Sequence, residues 1–198
     1  MSIAIRDVRE HELDSILALN NAAGTGILPI DAAKLRRLYD SAEYFRVAER
    51  EGHLAGFLIA FGANAAHESG NFAWFGERYR DFLYIDRIVV ASRRRGGGVG
   101  RALYADVQTY AEPRHGEIAC EVFLHEGTDP ALLFHGSFGF REVGQNIQAD
   151  GTRACMLMKP LASHAWIRET YGDALPDVPW LLQPRALKGE SLATGTHS

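Results

Sequence analysis

The segment that most limits the fold runs from Phe82 to Tyr110. Phe82 to Val90 is a strongly apolar run that reads as a strand. It passes into Arg93-Arg-Arg-Gly-Gly-Gly-Val-Gly-Arg101, a basic glycine-rich turn. Beyond it, Val99, Ala102, Leu103, Val107 and Tyr110 fall on one helical face. A strand that turns directly into an amphipathic helix implies a sheet with that helix packed on it. The turn is also a ready anion site. Glycines let backbone N–H groups approach a phosphate, and the helix N-terminus adds partial positive charge. The residues that follow exclude two common phosphate binders. A P-loop needs Lys-Ser or Lys-Thr after its last glycine, where Arg101-Ala102 stands. The dinucleotide fingerprint needs a third glycine where Leu103 stands.

The rest of the chain supplies a sheet around this unit. Ser2 to Val8 alternates as a strand, and Asp7 to Ala22 reads as a helix with Leu13, Ile16, Leu17 and Asn20 on its stripe. Asp31 caps a second helix through Tyr39. Tyr44 to Glu49 and Leu54 to Phe61 form a hairpin, and Ile118 to Leu124 forms a further strand. Pro130 to Phe138 is a short helix ended by Gly139. Phe140 to Ile147 and Arg153 to Met158 form a closing hairpin. Ala63 to Arg80 reads as a non-periodic loop carrying Phe72, Trp74, Phe75 and Tyr79. The predicted order, β-α-α-β-β-β-α-β-α-β-β, implies an α/β (α+β) fold with a mixed sheet and helices on both faces. After Pro160 the composition changes: His164 to Tyr171 reads as one more helix, and the tail from Gly189 is small and polar.

Of the 198 residues, 46% are hydrophobic, enough for a real core. No apolar run approaches the length of a membrane span, and Met1 to Glu10 lacks the apolar core of a signal peptide, so a cytoplasmic location is expected. Cys120 and Cys155 sit in apolar strand-like runs and read as buried reduced thiols. His115, His125 and His135 show no metal-ligand pattern, so no metal is expected. The basic residues concentrate on one ligand-sized turn in a chain of net charge −4, which disfavours nucleic acid as a partner.

Arg95-Gly-Gly-Gly98-Val-Gly100 resembles the Arg/Gln-x-x-Gly-x-Gly/Ala signature of the GNAT acetyltransferase superfamily. Tyr84-Ile-Asp-Arg-Ile-Val-Val90 is similar to that family's fourth strand, and Phe134-His-Gly-Ser-Phe-Gly-Phe140 to its closing helix. Asn71-Phe-Ala-Trp-Phe-Gly-Glu-Arg-Tyr79 and Cys120-Glu-Val122 resemble a bacterial branch of it. The resemblance covers residues 1–160 as one acetyltransferase domain and leaves 161–198 as a C-terminal extension. It implies a sheet splayed between strands four and five, and acetyl-CoA as cosubstrate. The CoA diphosphate would sit on the amides of Arg95, Gly96, Gly97, Gly98, Val99, Gly100 and Arg101. The pantetheine arm would pair along Ile88, Val89 and Val90. Thr128 stands where the family usually has an Asn that touches CoA.

For chemistry, the resemblance matches Asp86 to a position where several relatives carry a base, with Glu121 as runner-up. The competing reading of Asp86 is an ion pair with a neighbouring Arg. His135 stands where most relatives place an acidic Tyr; the competing reading is a capping or core histidine. Asn71, Trp74, Phe75 and Tyr79 are expected to line the pocket of a small-molecule or amino-acid-like amine, unless the aromatics simply plug the core. The function implied is N-acetyl transfer by direct attack. Transfer to a hydroxyl, transfer of a longer acyl chain, and a non-catalytic acyl-CoA sensor are the rivals. Family members are often homodimers, so the resemblance leaves a homodimer open for this chain, whose sequence does not itself fix an oligomeric state.

Overall fold

The computed structural model describes residues 2–24, 26–124, 130–172 and 174–175. Its elements are β1 (Ile3–Asp7), α1 (Leu13–Asn21), α2 (Ala32–Ser41), β2 (Tyr44–Arg50), β3 (His53–Gly62), α3 (Gly70–Gly76), β4 (Leu83–Val90), α4 (Val99–Ala111), β5 (Glu117–Phe123), α5 (Pro130–Gly136), β6 (Arg141–Ile147), β7 (Arg153–Pro160) and α6 (His164–Tyr171). Seven strands form one sheet in the order β1-β2-β3-β4-β5-β7-β6. All neighbours are antiparallel except β4 and β5, which are parallel. This is the GNAT-type mixed sheet that the resemblance implies.

β3 explains why the sheet is covered on both sides. Its run Ala55 to Phe61 is buried throughout, the pattern of a strand with no solvent face. Leu58 and Ala60 join Leu103, Val107 and Tyr110 of α4 in one apolar layer. Phe57, Ile59 and Phe61 join Ile16, Leu35 and Phe75 of α1, α2 and α3 in the other. The hairpins, the α4 face and the Asp31 cap agree with the sequence expectations; Asp31 accepts the Lys34 N–H at 2.7 Å. Cys120 and Cys155 are free and buried.

Two expectations need correction. The first helix begins at Leu13, not Asp7, because Val8 N–H still bonds Phe45 O at 3.1 Å and a single 3-10 turn intervenes. The segment Ala63 to Arg80 is not one loop, since it contains α3. Ser69 caps that helix by accepting from the N–H groups of Asn71 and Phe72, and Phe72 and Phe75 anchor it in the core. No helix among the described residues is long and apolar enough to cross a membrane.

Candidate active site

The parallel pair sets the site. β4 and β5 are in register only at Leu83↔Ile118 and Tyr84↔Ala119. Beyond these two pairs the strands diverge, and a cleft of about 1320 Å³ opens between them. Ile85 to Val90 form one wall and Cys120 to Phe123 the other. At the wide end lie Gly96, Gly98, Val99 and Gly100 of the turn, with Arg94, Arg95 and Arg101. At the other lie α2, the loop before α3, and Asn146, Gln148 and Ala149 of the β6–β7 hairpin.

The turn has the geometry of a phosphate cradle. Gly96 (φ +75°) and Gly98 (φ +83°) adopt a conformation that other residues rarely take. Gly98 is the N-cap of α4, so the first-turn N–H groups have no partner within the helix. The turn is braced from outside: Arg94 pairs with Glu51 at 3.1 Å, and Arg95 donates to Ala23 O at 2.9 Å. Of the expected CoA contacts, Ile88, Val89, Val90, Arg95, Gly96, Gly98, Val99, Gly100 and Arg101 all line the cleft. Gly97 does not; its N–H is turned back onto Arg94 O at 3.3 Å. Thr128 lies outside the described residues.

The two carboxylates meet different fates. Asp86 is nearly buried, 2.7 Å from Arg87 Nε. Its second oxygen is 3.0 Å from His67 Nε2, a close contact and not an aligned hydrogen bond. Burial alone would raise the Asp86 carboxyl; His67 and Arg87 more than offset it and hold it below the ordinary carboxylate range. The ion-pair reading of Asp86 is therefore present in the structure. Arg87 in turn donates to Asn20 Oδ1 at 2.8 Å, tying the centre of β4 to α1.

Glu121 accepts from Tyr84 Oη at 2.7 Å and from Asn71 Nδ2 at 3.1 Å, across the point where the strands part. Asn146 Nδ2 donates to Asn71 Oδ1 at 2.8 Å and so orients that amide. Burial pushes the Glu121 carboxyl up to about 7, against the lowering pull of the Tyr84 and Asn71 hydrogen bonds. A wall residue of the cleft thus titrates near neutrality, where a general base works best.

His135 lines the cleft and is also packed among aromatics, so both readings of it describe the structure. Its Nδ1 is 2.5 Å from Tyr104 Oη. Burial holds the Tyr104 phenol well above its ordinary range, so it stays protonated and donates. That favours the imidazole tautomer with its proton on Nε2.

The acceptor aromatics are corrected. Asn71 lines the cleft, but Trp74, Phe75 and Tyr79 do not. Phe75 is fully buried, Tyr79 packs in the same layer, and the Trp74 ring lies so close to Gly144 that a Cβ there would come within 2.8 Å of it. α3 turns Phe75 into the core, while Trp74 and Tyr79 are partly buried and pack against its edge. Phe75→Ala should cost about 3–5 kcal/mol of stability, with the acceptor KM of the remaining folded enzyme unchanged; denaturant unfolding and kinetics on one preparation check both. Sequence reasoning missed His67, Tyr84, Tyr104 and Asn146 as site residues. Only the alternation of Tyr84 with Asp86 on one strand hinted at any of them.

A family model described as an acetyltransferase (GNAT) domain matches residues 27–160. No curated protein sequence matches the chain significantly. Among solved structures, the ribosomal-protein-S18-alanine N-acetyltransferase of Escherichia coli aligns with TM-score 0.61 and 16% identity, covering 81% of this chain and 94% of that one. The ribosomal-protein-alanine N-acetyltransferase of Brucella melitensis aligns with TM-score 0.58 and 25% identity, over 80% and 99%. A NatC complex bound to Gag peptide and CoA aligns with TM-score 0.62 and 18% identity, over 82% and 100%. With the family model spanning more than half of its length, and a splayed sheet and glycine turn to match, the chain belongs to the GNAT acetyltransferase family.

Proposed function

We propose that the protein is an acetyl-CoA-dependent N-acetyltransferase acting on an amine of a small or amino-acid-like molecule by direct attack. The observation that carries the reading is the near-neutral carboxyl of Glu121 in the wall of a cleft whose far end is a cationic glycine turn. Bound acetyl-CoA would supply an activated thioester. The turn fits its diphosphate: the positive-φ glycines clear the approach, and the first-turn amides of α4 with Arg95 and Arg101 offer the charge. The edge of β4 over Ile88, Val89 and Val90 supplies N–H groups beside the gap, where one polarises the acyl carbonyl.

Glu121 takes a proton from the acceptor ammonium, directly or through one water, and the neutral nitrogen attacks the carbonyl carbon. As the tetrahedral intermediate collapses the C–S bond breaks, the nitrogen releases its second proton to water, and His135, protonated to the imidazolium, gives its Nε2 proton to the departing sulfur and returns to neutral imidazole. Asp86 acts differently from its expected role as base: held by Arg87 and His67, it fixes the middle of β4. His135→Ala should lower kcat by about 10² to 10⁴ with CoA affinity little changed. His135→Tyr should restore part of the rate, and the basic limb of its pH profile should move upward, because phenol holds its proton longer.

Release of free thiol from acetyl-CoA in the presence of an amine panel tests the reading. Turnover with amines supports it. Turnover only with alcohols, or only with longer acyl donors, moves the chain to the corresponding acyltransferase. Tight CoA binding without any turnover makes it a sensor.

A further inference from the structure

The acceptor end of the cleft has an unbalanced charge. Its anions among the described residues are accounted for. Asp86 is neutralised by Arg87, and Glu121 titrates near neutrality as the base. Glu68 has a largely exposed side chain and only a 4.0 Å contact with Arg37. Two of its cationic or ionisable groups are also spoken for: Arg87 by Asp86 and Asn20, and His67 by Asp86 and by the Ser69 N–H on its Nδ1. What remains lies on α2. Lys34, Arg37, Leu38 and Ser41 follow i, i+3, i+4, i+7 spacing, and all four line the cleft. The backbone N–H of Lys34 is used by the Asp31 cap. Its ammonium has no ion pair or hydrogen bond among the described residues. Among the described residues the Arg37 guanidinium is engaged only by the long, exposed contact with Glu68, the kind worth little in water.

A helix that turns a partly buried, unpaired ammonium toward a substrate cleft, with a second cation one turn on, is arranged to meet an anion. We propose that the acceptor is an amine carrying a carboxylate in the same molecule, and that Lys34, supported by Arg37, selects it. This rests on the N-acetyltransferase reading and narrows it: the amine lies at Glu121 and the carboxylate at α2. The glycine turn has its own cations, Arg94, Arg95 and Arg101, so α2 is not required for the diphosphate.

Matched pairs test this: each of a set of free amino acids against its carboxamide, with the intact protein and acetyl-CoA. The carboxylate member should have a kcat/KM about tenfold higher or more. In Lys34→Gln the two members should converge through a rise in KM for the carboxylate, with kcat and CoA affinity unchanged. Lys34→Glu should reverse the preference in favour of the carboxamides. Equal use of both members by the unaltered enzyme overturns the proposal while leaving the N-acetyltransferase reading intact. A weaker CoA affinity in Lys34→Gln, by calorimetry with CoA alone, assigns the ammonium to the phosphates and also overturns it. Absence of turnover with every amine removes the N-acetyltransferase reading, and this proposal with it.

Discussion

Glu121→Gln should turn over about 10² to 10⁴ times more slowly than the unaltered enzyme and lose the acidic limb of its pH–rate profile. With a carboxyl that titrates near 7, the unaltered enzyme gains activity as pH rises through neutrality, because only the carboxylate form takes the ammonium proton. The amide cannot titrate, so its residual rate follows the acceptor's own ionisation. The same residue predicts an opposite effect on stability. Its folded pKa is raised above the ordinary carboxylate value, so the fold favours the protonated form. Stability from this group is full below about pH 4.5 and is lost as pH rises through about 7. The Gln variant escapes that loss and should gain about 1–3 kcal/mol at pH 8 relative to pH 4.5. Thermal unfolding at the two pH values, beside kinetics from pH 5.5 to 9, reads both effects. A variant within threefold of normal activity that keeps the acidic limb would show that another group accepts the proton.

Gly98→Asp should weaken CoA binding by a factor of about 100 or more while the protein remains folded. The space for a side chain exists: a Cβ there meets only Ile3 Cδ1, at 3.8 Å. Two effects follow from the position itself. The left-handed backbone at φ +83° costs a non-glycine residue about 1–2 kcal/mol, less for Asp. The N-cap placement lets the new carboxylate accept the very N–H groups that α4 presents to a phosphate. Gly98→Ala separates the two, since it carries the strain without the charge and should lose far less affinity. Calorimetry with CoA on both variants, alongside circular dichroism, decides it. Equal losses would place the effect in backbone strain and remove the argument for an anion cradle.

The parts of the fold set by local pattern were legible beforehand. Period-two alternation marks β1, helical spacing marks α4, and the glycine run between β4 and α4 marks the turn. α3 escaped because a seven-residue helix with glycine at each end has little intrinsic propensity. Even so, Phe72, Phe75 and Tyr79 stand at helical spacing, a signal masked by Trp74 between them. Missing that helix also misplaced the aromatics, which became pocket walls in the reading, whereas in the fold Phe75 is core and Trp74 and Tyr79 pack against it. The ranking of the carboxylates depended on something no spacing encodes. Asp86 has its Arg next in sequence, whereas Tyr84 reaches Glu121 only because β4 and β5 are neighbours in parallel. His67 likewise meets Asp86 through tertiary folding alone.

A sheet torn part-way along one seam need not unfold as a single unit. β1 to β4 are laced by long antiparallel ladders, and so are β5, β7 and β6. The two halves meet at two β4–β5 residue pairs, at the Tyr84–Glu121, Asn71–Glu121 and Asn146–Asn71 hydrogen bonds, and through the apolar layers on the two faces of the sheet. The halves are natural candidates for separate hydrogen-exchange units, and whatever lies along the open edge of β4 becomes part of the seam. Amide protection on both sides of the gap should then rise with occupancy of the cleft, which hydrogen exchange with and without CoA reads directly.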